Sequence, residues 1–126
     1  MPSPDPTNPS HAKPPRLRIE RGDDGIHHVA FPEGNADGVA VRELYEAVAA
    51  MLDHDAPRVL IDFAGVAFVG SGMLGMLVTV LKKTRQAGGS VTIAVDDPLV
   101  RKTMTVTQLD RVLRVYPDAA SARAAL

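Results

Sequence analysis

The residues best suited to chemistry in this chain lie in one run, Phe68-Val69-Gly70-Ser71-Gly72-Met73-Leu74-Gly75. Apolar, β-branched stretches over 59–63 and 66–69 lead to a glycine-flanked serine, and a helical run follows it to Gly88-Gly89. The pattern therefore predicts Ser71 at a strand-to-helix junction. There its side-chain oxygen can cap the helix, and the unpaired N–H groups of the first turn favour negative charge. A phosphate on Ser71 would suit its own domain, while a partner covering the junction would meet about −1.5 to −2 of added charge.

Two other chemistries use similar residues. Gly70, Gly72 and Gly75 match G-x-G-x-x-G, and Asp96 lies 21 residues past the last glycine, near the spacing that holds a dinucleotide ribose. Against dinucleotide binding, the motif lies past the middle of the chain. Gly65 also interrupts the run, so the strand is expected to end at Phe63, with 64–70 as a connecting loop. A hydrolase built on Ser71 lacks the G-x-S-x-G elbow and a histidine placed as base. The pairs Asp23-Asp24 and Asp96-Asp97 read as turn and cap residues. His27 and His28, adjacent on a strand, point to opposite faces and cannot chelate one ion together. They read as exposed or edge histidines, and with His54 in a loop no metal cluster is expected.

The elements that position the junction follow in order. Residues 1–15 hold six of the ten prolines and no periodic apolar positions, the composition of a disordered tail preceding a domain over 16–126. Residues 16–21 alternate polar and apolar, 22–25 are turn material, and 26–31 form the return strand. Residues 33–38 read as a loop, with Asp37 placed to cap an amphipathic helix that carries Val41, Leu44, Val48 and Met51 on one side. Residues 59–63 are nearly continuous apolar, as in a central strand covered on both faces. Asp62 near its end either receives N–H groups from a loop or simply stops the strand. The helix after Ser71 is apolar on almost every side from Met73 to Leu81, with Lys82, Lys83 and Arg85 suited to its C-terminal end.

Residues 91–95 are the next strand, Asp96-Asp97-Pro98 starts a helix over 99–107, 113–116 are a short strand, and Pro117-Asp118 opens a final alanine-rich helix. The alternation argues for an α/β fold: one mixed β-sheet of about five strands with four helices packed against it.

Composition limits the function. Apolar residues make up 45% of the chain and charged ones 23%, as in an ordinary globular protein. A net charge of −1 provides no field for nucleic acid or anionic membrane, and 4% aromatics with no Trp leave few platforms for stacking bases. Without Cys, disulfides and thiolate metal sites are excluded. No apolar run approaches the roughly 20 residues of a membrane span, and no secretory signal is evident, so a cytoplasmic protein without cofactor is expected.

The motifs, taken together, carry a family resemblance. Gly34-x-x-Asp37 precedes the first helix, and Asp62-x-x-Gly65-Val66-x-Phe68 leads into Ser71-x-x-Leu74-Gly75. Gly88-Gly89 and Leu109-Asp110-Arg111-Val112 before Val115-Tyr116 complete the pattern. In this order and spacing they resemble a STAS domain of the anti-sigma-factor antagonist type, over everything but the tail. The resemblance implies a mixed sheet with helices chiefly on one side and a non-enzymatic, bacterial switch protein in signal transduction. It implies that the serine at the head of the second helix is phosphorylated by a serine kinase that is also the anti-sigma factor, with a serine phosphatase to reset it. Ser71 falls on that serine, Asp37 on the acidic residue usually beside it, and Gly70 and Gly72 complete its surroundings. The usual run Asp-Ser-Ser-Gly is here Gly70-Ser71-Gly72-Met73, which leaves phosphosite and helix cap as two readings of Ser71. Met73 and Met76, soft side chains on the next turn, are expected on the docking surface, with core filling as the competing reading. Self-association is compatible with this picture. The alternative function is a STAS-type structural subunit of a transporter or signalling scaffold, without phosphorylation.

Overall fold

The computed structural model describes residues 16–54 and 56–126, and the expected tail over 1–15 lies outside them. The chain begins with a hairpin of β1 (Arg18–Arg21) and β2 (Ile26–Ala30), followed by a short β3 (Gly34–Ala36) and helix α1 (Val39–Met51). Next come β4 (Arg58–Asp62), β5 (Val66–Val69), helix α2 (Ser71–Gln86), β6 (Ser90–Ala94) and helix α3 (Pro98–Val106). A 3-10 turn (Leu109–Arg111), β7 (Arg114–Tyr116) and helix α4 (Ala119–Ala124) complete it. The main sheet has five strands in the order β1-β2-β4-β6-β7, with β1 antiparallel to β2 and the other neighbours parallel. The expected mixed sheet and four helices are present.

The sheet is built on β4, whose continuous apolar sequence reflects cover on both faces. Val59 and Ile61 are buried in the main core with α1, α2 and α3, while Leu60 faces Ile26, Ala94 and Ala122 beneath α4. Helix α1 buries Ala40, Leu44, Val48 and Met51, and α2 buries Met73, Leu77, Val80, Leu81 and Thr84, each at helical spacing. Each fully buried Leu, Val or Met contributes about 1.5–3 kcal/mol relative to exposure. Phe31 and Phe63 meet edge-to-face with ring centroids 4.7 Å apart, packing the ends of β2 and β4 against each other. Asp97 caps α3 as expected, its Oδ1 accepting from the N–H groups of Leu99 (2.8 Å) and Val100 (3.1 Å).

Several local expectations are corrected. Residues 33–38 and 64–70 are not plain loops, because β3 and β5 pair in parallel as a separate two-stranded sheet. Val66 and Val69 of β5 are buried while Ala67 and Phe68 are exposed, a pattern whose strand character Gly65 masks in the sequence. His27 is buried and His28 half-buried, because β2 lies between β1 and β4 and is not an edge. Although His54 lies in a loop, its ring packs on His27 with centroids 5.1 Å apart. Asp62 both ends its strand and gathers partners: Oδ1 accepts from the Ala64 N–H (2.9 Å), and Oδ2 lies 2.8 Å from Nε2 of His28. Arg123 of α4 approaches Nδ1 of the same ring (3.4 Å).

Candidate functional site

Gly70, not Ser71, is the residue that caps α2. It has extended geometry (φ −77°, ψ 165°), donates its N–H to Ala36 of β3 (3.3 Å) and accepts from the Leu74 N–H (3.0 Å). β5 ends at Val69, so the helix begins one residue earlier than a Ser71 cap requires, and Ser71 becomes its first helical residue. The cap reading of Ser71 is therefore corrected. Its side chain is exposed and makes no hydrogen bond among the described residues. The amides of Ser71, Gly72 and Met73 open α2, where main-chain donors have no partner four residues back and the helix dipole favours an anion.

Asp37 does not cap α1. Its main-chain carbonyl accepts from the Ala40 N–H (3.2 Å), while its carboxylate leans over the start of α2. A β-carbon at Gly70 would overlap that carboxylate, lying 2.7 Å from Oδ1, and one at Gly72 would lie 3.3 Å from Oδ1. Asp37 thus lies against Gly70 and Gly72 on either side of Ser71, and the missing side chain at Gly70 leaves its space to the Asp37 carboxylate.

Of the two methionines expected on a docking surface, Met73 is fully buried in the main core, so that expectation is corrected: its helix phase points it at the sheet. Met76 is half-buried and lines an open, largely apolar groove of about 640 Å³ between α1 and α2, with Gly38, Val39, Val41, Arg42 and Tyr45. Val39 (48% exposed) and Tyr45 (41%) in the groove and Phe68 (53%) at the end of β5 present apolar surface. Sequence reading missed these three. The signal for Tyr45 was an aromatic residue off the apolar stripe of α1, which packing within the fold does not require.

The same geometry does not support the dinucleotide reading. β5 belongs to the small sheet instead of the main one. Gly75, whose counterpart in that fingerprint permits close helix–strand packing, has nothing within 4 Å of an added β-carbon. Among the described residues no group of three or more His, Cys, Asp or Glu could hold a metal, and no helix is long and apolar enough to cross a membrane.

A family model described as "Mlab, STAS domain" matches residues 33–115, which include β3, α1, the Ser71 junction and the strands behind it. The chain belongs to the STAS domain family. Its fold matches the crystal structure of an anti-sigma factor antagonist from Mycobacterium paratuberculosis with a TM-score of 0.71 and 28% identity, over 89% of this chain and 93% of that one. The Bacillus cell fate determinant SpoIIAA in its phosphorylated form shares the fold at 13% identity, with a TM-score of 0.67 over 88% of this chain and 100% of that one. A putative anti-sigma factor antagonist, the TM1081 homolog of Thermotoga neapolitana, is 26% identical over 65 residues, 52% of this chain. The match spans 58% of that relative's length. Within this STAS domain the Ser71 junction offers an exposed hydroxyl and the α1–α2 groove offers exposed apolar surface.

Proposed function

We propose that this STAS protein is an anti-sigma factor antagonist, a binding protein and not an enzyme, switched by phosphorylation of Ser71. The carrying observation is the Ser71 hydroxyl, exposed at the head of α2 and free of any structural hydrogen bond among the described residues. The unmodified chain docks an anti-sigma factor serine kinase on the α1–α2 groove, where Val39, Tyr45 and Met76 supply apolar contact and Arg42 a cation. The kinase transfers the γ-phosphoryl group of ATP to the Ser71 oxygen with release of ADP and the hydroxyl proton, the docked surface gains charge its partner must desolvate, and the complex separates. A serine phosphatase restores the hydroxyl. Support comes from the anti-sigma factor antagonists that share the fold and from the sequence run around Ser71.

A second reading, a STAS-type structural subunit of a transporter or scaffold, is favoured by Gly70 in place of an acidic residue. Binding of the candidate kinase separates the two. Ser71→Asp is expected to weaken it by about tenfold or more, which corresponds to about 1.4 kcal/mol, while the fold stays intact. Equal binding by wild type and Ser71→Asp, or an intact mass unchanged by kinase and ATP, favours the structural subunit.

A further inference from the structure

We infer that Asp37 transmits the charge state of Ser71 to the α1–α2 groove, because its carboxylate and a phosphate on Ser71 compete for one anion position at the head of α2. The inference rests on reading Ser71 as the phosphosite and the groove as the partner's seat.

The Asp37 carboxylate lies over the α-carbons on both sides of Ser71, against Gly70 and within reach of Gly72. Consecutive α-carbons are about 3.8 Å apart, so the charge sits within about 6 Å of the Ser71 main chain. Among the described residues the carboxylate has neither an ion-pair partner nor a hydrogen bond; packing and the helix dipole hold it there. It is a lightly tethered anion at an anion-favouring helix end.

A phosphate on Ser71 would bring about −1.5 to −2 of charge to the same helix end. The phosphate is fixed to the helix, whereas Asp37 belongs to the separate turn between β3 and α1, so Asp37 is the group that yields. That turn is narrowly defined. Gly38 has φ +58°, a left-handed conformation suited to glycine, and the N–H groups of Ala40 and Val41 bond the carbonyls of Asp37 and Gly38. Gly38 and Val39 also line the groove, so moving Asp37 outward re-aims Val39 and alters the surface that Tyr45 and Met76 share. Gly70 is part of the device, because any side chain there would expel the carboxylate before phosphorylation could.

The test uses the full chain with phosphoserine installed at position 71 during translation, in wild-type and Asp37→Asn backgrounds, followed by amide NMR and thermal unfolding. In the Asp37 chain the phosphate is expected to shift the Gly38, Val39 and Tyr45 signals and to lower the midpoint by about 3–6 °C. In Asp37→Asn the phosphate-induced shifts at Val39 and Tyr45 should vanish and the midpoint penalty with them. Unmoved Val39 and Tyr45 signals in the phosphorylated Asp37 chain, or equal movement in both backgrounds, overturn the linkage. No kinase is needed for this measurement. A chain that shows the coupling but is never modified by its kinase retires the phosphosite reading and keeps the linkage; a phosphorylated chain without the coupling does the reverse.

Discussion

At Gly89 a β-carbon would collide with the main chain of Pro57, because the Ser90 N–H bonds the Pro57 carbonyl (3.0 Å) and draws the two segments together. Main chain cannot swing aside, so Gly89→Ala is expected to cost about 3 kcal/mol or more, the overpacking range and above. At Gly70 the obstacle is instead the tip of one short side chain, which can move. Gly75 is exposed on α2 with open space around it, and Gly75→Ala should add about 0.5–1 kcal/mol through helix propensity alone. Urea midpoints of the two variants check the contrast; equal shifts would show that the α2–β6 turn has slack the structure does not suggest. The three positions are the same residue type, and only their neighbours separate them.

At the scale of elements, β2 carries a pH response. His27 is buried in that strand beside His54 of the loop after α1, and its pKa is held below the ordinary 6.5, first by burial and then by the charges of Arg21 and His54. A folded-state pKa below the unfolded one means that the unfolded chain binds the proton more readily. Stability is therefore full above about pH 6.5 and falls as acidification approaches the lower folded value. The thermal midpoint of wild type should decline below pH 6.5, and His27→Gln should flatten that decline. An unchanged slope in the variant would assign it to other groups. Asp24 and Asp118 also have lowered pKa values, Asp24 through its bond to Arg123 and Asp118 through the Ser121 N–H. Their contribution is likewise lost on acidification, but below the ordinary carboxylate value of 3.8, so the two windows separate.

Across the whole molecule the sheet has unequal faces. Three helices cover one side over a continuous core, whereas the other relies on short α4 over Ile26, Leu60 and Ala94. Arg123 of α4 also pairs with Asp24 at the β1–β2 turn, joining residues 99 positions apart. Leu60→Ala should cost about 2–4 kcal/mol by leaving a cavity beneath α4. Hydrogen exchange should rise at residues 119–124 more than in α1 or α2, since that face has little else to hold it. A uniform rise throughout the molecule would mean that α4 unfolds only with the core. The site on the thickly covered side would then share the stability of the thin one.

The sequence by itself determined the order of the main-sheet strands and the four helices, the central place of residues 59–63 and the helix start at Asp97-Pro98, because periodicity and capping residues are local signals. Spacing brought Ser71 to within one residue of its place, at the first turn of α2 instead of its cap. The tertiary structure decided the rest. β3 and β5 are strands because each pairs with the other, 32 residues apart at Gly34 and Val66, and neither is long enough to announce itself. Met73 and Met76 are chemically equal, and the sheet beneath α2 sends one into the core and leaves the other in the groove. The direction of the Asp37 carboxylate depends on a helix that begins 34 residues later, a contact no local pattern encodes.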